Sequence, residues 1–409
     1  MIQRVVVTGL GTVNPLSRNV SGFWDALINK KNGINKITHF DSSNYKTKLS
    51  AEVNIDLNNY FNKKELNKID RFTAFALIAS NEAIIDAKID KTIDKNRVGV
   101  IIGSGIGGIN TLEKEHKKSL KSPRRVSPYF VPSMISDIAA GHISIKYGFK
   151  GPNFSVVSAC ASSNHAIGMA FKSIKFNESD IVITGGSEAG ITPLSIAGFM
   201  NMKALSTEQN RNKASIPFDL NRNGFVMGEG SGILVLESLK SALKRNAKIY
   251  AEISGYGSTA DAYHLTSPSP NGNGANQAMK IALSEASLKP EDIDYINAHG
   301  TSTYYNDLHE TQAIKNLFKN HAYKLSINST KSNMGHLLGA AGSVEAIATI
   351  KSIINSYITP TINYKTEDPE CDLDYTTKSE TKKNINHAIS NNFGFGGHNA
   401  SIVISKFIE

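Results

Sequence analysis

Short β-rich runs that end in glycine or another small residue alternate with helix-patterned segments along most of this chain. Runs 5–9, 98–103, 154–159 and 180–185 are strand-like, and segment 71–86 places its apolar residues at helical spacing. The same pattern returns in the second part, where 249–255, 294–298, 324–328 and 401–405 read as strands, and 274–286 and 307–318 as helices. Such alternation predicts an α/β protein whose sheets are covered on both faces. At 409 residues the chain exceeds one ordinary domain. No short sequence repeat and no low-complexity linker stands out, so two interlocked halves are expected, residues 1–249 and 250–409.

Composition narrows the classes. With 40% hydrophobic and 20% charged residues the chain has enough apolar material for a large core. No apolar run approaches the roughly 18 residues a membrane span needs. The opening MIQRVVVTGLGTV lacks the layout of a signal peptide and reads as a strand that starts at once. A cytoplasmic protein with no membrane partner is expected, or an organelle-matrix protein numbered after loss of a targeting peptide. Two cysteines, Cys160 and Cys371, make neither a disulfide framework nor a CxxC metal pair, and both are expected as reduced thiols. The net charge of +9 comes from Lys and Arg spread along the chain, with clusters at 114–125 and 378–383. It fits a solvated surface or an acidic partner; no recognisable motif supports nucleic acid.

The run Gly103-Ser-Gly105-Ile-Gly107-Gly108 satisfies GxGxxG after a strand. A dinucleotide site also needs a second strand ending in an acidic residue about 20 positions later. The sequence there is KSLKSPRRVSPYF, basic and not strand-like, which argues against a nucleotide. Cys160 is placed differently. It joins the strand FSVVSA to the helix-like SSNHAIGMAFKSIKF, amid the small residues of a sharp turn that presents a nucleophile. A helix N-terminus favours thiolate by up to about 2 kcal/mol, which on its own brings the thiol from roughly 8.5 to near 7. Local sequence still leaves a buried structural cysteine as an equal reading.

Two histidines shift that balance. His299 follows a strand in INAHGTST, and His336 lies in STKSNMGHLLGAAG where small residues enter a helix. Both sit at glycine-rich junctions, where α/β proteins place their sites. A third such segment is NNFGFGG, 391–397, whose glycines leave backbone N–H groups free for an anion and whose Phe395 is placed to cover a pocket.

SACASS around Cys160, NAHGTST around His299, STKSNMGHLLGAAG around His336 and NNFGFGGHN near the C-terminus resemble the β-ketoacyl-acyl-carrier-protein synthases, and Ile106 in GSGIGG and Phe199 match their type II elongating members. PFDLNRNGFVMGEGSG (217–232) and DAYHLTSPSP (261–270) extend the resemblance over nearly the whole chain. It implies a thiolase-like fold, two pseudo-duplicated halves in five-layered α-β-α-β-α order, assembled as a homodimer. The implied activity is an acyltransferase's: an acyl group on Cys160 condenses with malonyl-acyl-carrier protein by decarboxylative Claisen chemistry, elongating a fatty acid by two carbons. A stand-alone ketosynthase of polyketide or other specialised metabolism would carry the same motifs. The phosphopantetheine arrives on acyl carrier protein, and no other cofactor is required.

The resemblance also implies residue roles. Cys160 is the nucleophile; His299 and His336 stabilise the enolate, and Lys331 supports them electrostatically. The N–H groups of Cys160 and Phe395 form the oxyanion hole. Phe395 gates the acyl pocket, which Ile106 and Phe199 line; Thr301 and Thr303 bind pantetheine. Asn297 and Glu345 match positions near a structural monovalent cation. Lys64, Lys68, Arg124, Arg125 and Lys203 fall where the family docks its acidic carrier. A Cys-His-His set argues against priming synthases, thiolases and chain-length factors. Asn67 replaces a basic docking residue, Tyr304 a proline after HGTST, and His398 a threonine after GFGG. The last two are expected near the tunnel mouth, where they bear on acyl or carrier preference.

Overall fold

The computed structural model describes residues 2–90, 92–377 and 382–408; most of the 378–383 basic run lies outside them. In the first part of the chain, β1 (Val5–Val13), β2 (Val98–Gly103), β3 (Asn153–Val156), β4 (Ile181–Glu188) and β5 (Gly230–Ser238) pair in the order β3-β2-β4-β5-β1. In the second, β6 (Ala251–Ala260), β7 (Tyr295–Asn297), β8 (Ser326–Asn328), β9 (His387–Gly394) and β10 (His398–Ser405) pair in the order β8-β7-β9-β10-β6. The two orders are one permutation. Directions repeat too: β2 runs parallel to β3 and β4 as β7 does to β8 and β9, and the other pairings within each set are antiparallel. A short antiparallel contact, Val5 opposite Ile253 to Val7 opposite Ala251, joins the two sets edge to edge.

Six helices cover these strands: α1 (Arg71–Asp86), α2 (Ile138–Tyr147), α3 (Ser162–Lys175), α4 (Asn273–Glu285), α5 (Tyr304–Phe318) and α6 (Ala341–Asn355). Side chains alternate across a strand, and the alternation assigns the layers. Val98, Val100, Ile102, Ile181 and Ile183 pack outward against Phe72, Phe75, Ala139 and Ile143 of α1 and α2. Ile101, Val182 and Leu234 point the other way, into a core shared with Ile167 of α3, Ile347 of α6 and Ile402 of the second set. Ile296, Ile389 and Val403 face outward again, onto Met279 of α4 and Ile314 of α5. The result is an α-β-α-β-α stack with the α3–α6 layer at its centre, the five-layered thiolase-like fold expected from the sequence.

A glycine pair explains how the outer helices approach so closely. A Cβ on Gly9 or Gly11 of β1 would lie 2.3 and 2.0 Å from carbonyl oxygens of α1; on Gly255 or Gly257 of β6 the distances to α4 carbonyls are 2.1 and 1.9 Å. Only glycine permits that contact. TGLGT and SGYGS are thus equivalent segments, a repeat too short to stand out in the sequence. The expected helix 71–86 and strand 98–103 match their observed bounds. The strand expected over 154–159 ends at Val156, because the chain then leaves the ladder to form the turn that holds Cys160.

Candidate active site

Each central helix is entered through a single 3-10 turn, Ala159–Ala161 before α3 and Leu338–Ala340 before α6. The first residue of each is left-handed without being glycine, Ala159 at φ 51 and Leu338 at φ 47. This conformation costs an L-residue about 1 kcal/mol or more, and it sharpens the turn. Cys160 therefore projects at the helix entrance, 8% exposed. It lines a cavity of about 400 Å³ together with His299, His336, Thr301, Thr303, Phe199 and Phe395.

Around the sulfur, the backbone N–H groups of Phe395 and of Cys160 itself are within hydrogen-bonding reach. Burial pushes the thiol from its ordinary 9.0 up to about 12, against the pull of Lys331 and the two amides and helped by Glu188. This overturns the expected thiolate. Such a rise corresponds to about 4 kcal/mol, whereas a helix N-terminus supplies at most about 2 kcal/mol. Desolvation wins, and the Cys160 side chain is a neutral thiol.

The two histidines are neutral as well. Burial, then Lys331 and His336, hold His299 well below its usual value; burial, then Lys331, does the same to His336. Their rings meet edge to face with centroids 5.3 Å apart. His336 Nδ1 accepts from the Leu338 N–H at 3.3 Å, which assigns the proton to Nε2. That Nε2 is buried and has no hydrogen-bond partner. His299 Nδ1 faces Asn392 Nδ2 at 3.3 Å, which likewise leaves the proton on Nε2. Both rings are thus hydrogen-bond donors at Nε2.

Lys331 is buried and pairs with Glu345 at 2.5 Å. Burial raises the Glu345 carboxyl, while Lys331 and Asn392 lower it. Thr301 Oγ1 and Thr303 Oγ1 are 2.8 Å apart at the cavity wall. Phe199 sits between Phe225 and Phe395, with centroids at 5.7 and 6.2 Å. Ile106 packs, with Phe199 and Leu338, on the apolar cluster that includes Cys160.

Lys64, Lys68, Arg124, Arg125 and Lys203 are all exposed. Lys68 lies 5.1 Å over the Tyr129 ring, near the turn carrying Arg124 and Arg125, and Lys203 stands at the cavity itself. Tyr304 also lines the cavity, held by Glu370 and by Arg222 over its ring. His398 does not line it. Its ring lies against Gly396 and 6.5 Å from His165, while its chain neighbours Gly397 and Asn399 do line the cavity. Cys160 and Cys371 are both free and buried.

Several site residues have no local sequence signal. Glu310 accepts from the N–H groups of His299 and Gly300 at 2.9 and 2.8 Å, fixing the histidine's loop. Asn392 bridges His299 and Glu345; it stands in NNFGFGG, where the glycines drew notice instead. Glu188, at the end of β4, accepts from Gly105 N and Ile106 N. Those amides of the GxGxxG run are therefore occupied by a carboxylate of the chain, not presented to a phosphate.

Comparison with known proteins agrees with this geometry. The family described as "Beta-ketoacyl synthase, N-terminal domain" matches residues 3–242, and "Beta-ketoacyl synthase, C-terminal domain" matches 250–365. The chain is 50% identical over 410 residues to a Staphylococcus aureus protein named 3-oxoacyl-[acyl-carrier-protein] synthase 2, covering 99% of both. Identity to the Synechocystis protein of the same name is 48%, over 99% of this chain and 98% of that one. Among solved structures, one chain from a type II PKS acyl-carrier protein in complex with its ketosynthase superposes with a TM-score of 0.93 at 35% identity, covering 100% of each chain. A β-ketoacyl synthase from Burkholderia phymatum gives a TM-score of 0.92 at 32% identity, over 99% of this chain and 100% of that one. This chain belongs to the β-ketoacyl synthase family.

Proposed function

We propose that this protein is a 3-oxoacyl-acyl-carrier-protein synthase of the elongating type. The reading is carried by one observation: a neutral His299–His336 pair, with His336 Nε2–H buried and unpartnered, lines the same cavity as Cys160. Relatives at 50% identity carry that name, against 35% for the polyketide-type neighbour, which favours fatty-acid elongation over a specialised ketosynthase.

In the first half-reaction Cys160 Sγ attacks the acyl thioester on the carrier. A new C–S bond forms, the bond to pantetheine breaks, and the thiol proton ends on the departing pantetheine sulfur. The N–H groups of Cys160 and Phe395 face the oxyanion. In the second, the bond between the malonyl α-carbon and its carboxylate breaks and carbon dioxide leaves. The electron pair becomes an enolate, whose oxygen receives hydrogen bonds from His299 and His336 Nε2–H. Neutral donors suit that task, since no proton needs to leave them. The enolate carbon attacks the acyl-Cys160 carbonyl, the C–Sγ bond breaks, and the sulfur takes up one proton from solvent. Burial, and after it the charge of Lys331, keeps both rings neutral. Thr301 and Thr303 hydrogen-bond the pantetheine arm, and Phe395 and Phe199 gate the acyl chamber that Ile106 bounds.

Incubating the protein with acyl-carrier and malonyl-carrier should yield acyl-Cys160 and a β-ketoacyl product by mass spectrometry. Failure of both with every carrier tried defeats the reading. Lys64, Lys68, Arg124, Arg125 and Lys203 dock the acidic carrier, so kcat/KM for the carrier should fall as salt rises; a flat salt profile contradicts this.

The chain divides into halves at residues 1–249 and 250–409, supported by the repeated strand order. It forms a homodimer through β3. That strand is an outer edge of the sheet, with its Phe154 37% exposed and Val157 just beyond it and nearby Ile145 58% and 80% exposed. Sedimentation at the mass of one chain would refute it. No helix among the described residues is long and apolar enough to cross a membrane. We place the protein in the cytoplasm, which cell fractionation tests. Asn297 Oδ1 and Ser390 Oγ are buried without partners, opposite each other on β7 and β9, and Asn297 Nδ2 donates to Glu345 O. These oxygens fit a hard monovalent cation that would tie the two strand ends together. A melting temperature indifferent to sodium and potassium argues against it.

A further inference from the structure

Glu188 is a buried carboxylate that the proposed chemistry leaves without a task. No lysine or arginine is paired with it among the described residues. Its partners are instead four donors from two loops. Oε2 accepts from Gly105 N at 2.7 Å and Gly339 N at 3.0 Å; Oε1 accepts from Ser104 Oγ at 3.1 Å and Ile106 N at 3.2 Å. Burial raises its carboxyl, and hydrogen bonds from the same loops oppose the rise.

The two loops share one property. Ile106 and Leu338, the residue before Gly339, both pack on the apolar cluster that contains Cys160, Phe199 and Ile196. Their side chains converge on Gly190, where a Cβ would meet Leu338 Cδ1 at 3.2 Å and Ile106 Cδ1 at 3.5 Å. The packing leaves no slack. A Cβ at Gly339 would lie 2.3 Å from Gly105 N, and one at Gly105 would lie 3.3 Å from Ala159 O, in the nucleophile's own turn. One carboxylate therefore fixes the backbones under Ile106 and Leu338, two side chains that pack beside Cys160 from opposite halves of the molecule.

We propose that Glu188 is a positioning residue for acyl-chain selectivity: its carboxylate pins the Ile106 and Leu338 walls at a fixed separation. Hydrogen bonds to a charged group are among the stronger ones in a protein, and both carboxylate oxygens are used. A glutamine has nearly the same shape but only one acceptor oxygen. In either orientation it turns an NH₂ toward backbone N–H donors and releases either the Gly105 and Gly339 bonds or the Ile106 bond, since only the Ser104 hydroxyl can reverse and accept. A loosened wall accepts chains that the fixed wall rejects.

The inference rests on the proposed condensing activity, and the test separates the two. Measure kcat and KM for acyl-carriers of graded chain length with wild type and Glu188→Gln. The expected result is a flattened profile: kcat/KM for the poorest chain length relative to the best rises by about tenfold. Cys160 loading, read by intact mass, flattens in the same way. A profile that keeps its wild-type shape, scaled by one factor at every length, overturns the inference, because a merely structural loss does not discriminate lengths. Should Glu188→Gln fail to fold, Ser104→Ala removes one contact and leaves the carboxylate. It is then expected to flatten the profile by about twofold, and an unchanged profile overturns the inference. A wild type that neither acylates nor condenses defeats the functional reading instead.

Discussion

In the turn entering α3, Ala159 is left-handed at φ 51 and Ala161 caps the helix at φ −90, ψ −1; in the turn entering α6, Leu338 is left-handed at φ 47 and Ala340 caps at φ −89, ψ −11. The backbones are the same device. The residue between differs: Cys160 in one, Gly339 in the other. Around Cys160 the turn opens onto a cavity, whereas around Gly339 the space is filled by Gly105 and the Glu188 carboxylate. One copy of a duplicated turn presents Cys160 to the cavity, and the other is closed by Gly105 and Glu188. The nearby loops show a parallel split. The loop after β2 is held by Glu188, and the loop after β7, bearing His299, is held by Glu310.

Swapping features between the copies tests this comparison. Cys160→Gly puts the central residue of the second turn, Gly339, into the first. It should keep the fold, with stability changed by about 1 kcal/mol or less, and lose acyl transfer by at least about 10⁴-fold. Residual transfer near wild type would mean that another group carries the acyl chain.

Gly339→Ala is the reciprocal probe. Its Cβ would sit 2.3 Å from Gly105 N and 2.6 Å from Glu188 Oε2. Overpacking of this kind costs about 3 kcal/mol, to be read by denaturant unfolding. Gly198→Ala is the control: nothing lies within 4 Å of its Cβ, so the change should be neutral or stabilise by up to about 1 kcal/mol. Equal effects at the two positions would contradict the closed second turn.

Glu310 sharpens the comparison of the loops. Burial, outweighing the His299 and Gly300 amides, lifts its carboxyl from 4.5 to about 7. The folded protein thus holds this proton more tightly than the unfolded chain does. The stability it contributes is full below about pH 4.5 and is lost as pH rises through about 7. The total is on the order of 3 kcal/mol. Glu310→Gln should remove that part of the pH dependence of unfolding; a curve parallel to wild type from pH 4.5 to 7 would refute the assignment.

The fold was legible where periodicity is strong. The α1 segment, with 11 of its 16 residues buried, and the Val/Ile strands read directly from pattern. The duplication was legible only through the family resemblance, because within the chain itself it survives in strand order and in paired glycines of β1 and β6, features that need the partner helix to be seen. Cys160, His299, His336 and Phe395 were legible as motifs and do line one cavity. Glu188 and Glu310 were not: each acts through backbone N–H groups, which for Glu188 lie 82 and 83 residues away within its own half and 151 away at Gly339. The thiol's protonation was misjudged for a related reason. A helix start is visible in sequence, whereas the desolvation that outweighs it comes from packing by distant residues.

The central claim is that Cys160 carries the acyl group while the neutral histidines serve condensation. Load His336→Ala with acyl-carrier, follow Cys160 by intact mass, then add malonyl-carrier. The account predicts an acyl adduct formed close to the wild-type rate, and condensation slowed by about 10²–10³-fold. Equal loss of both half-reactions would contradict it.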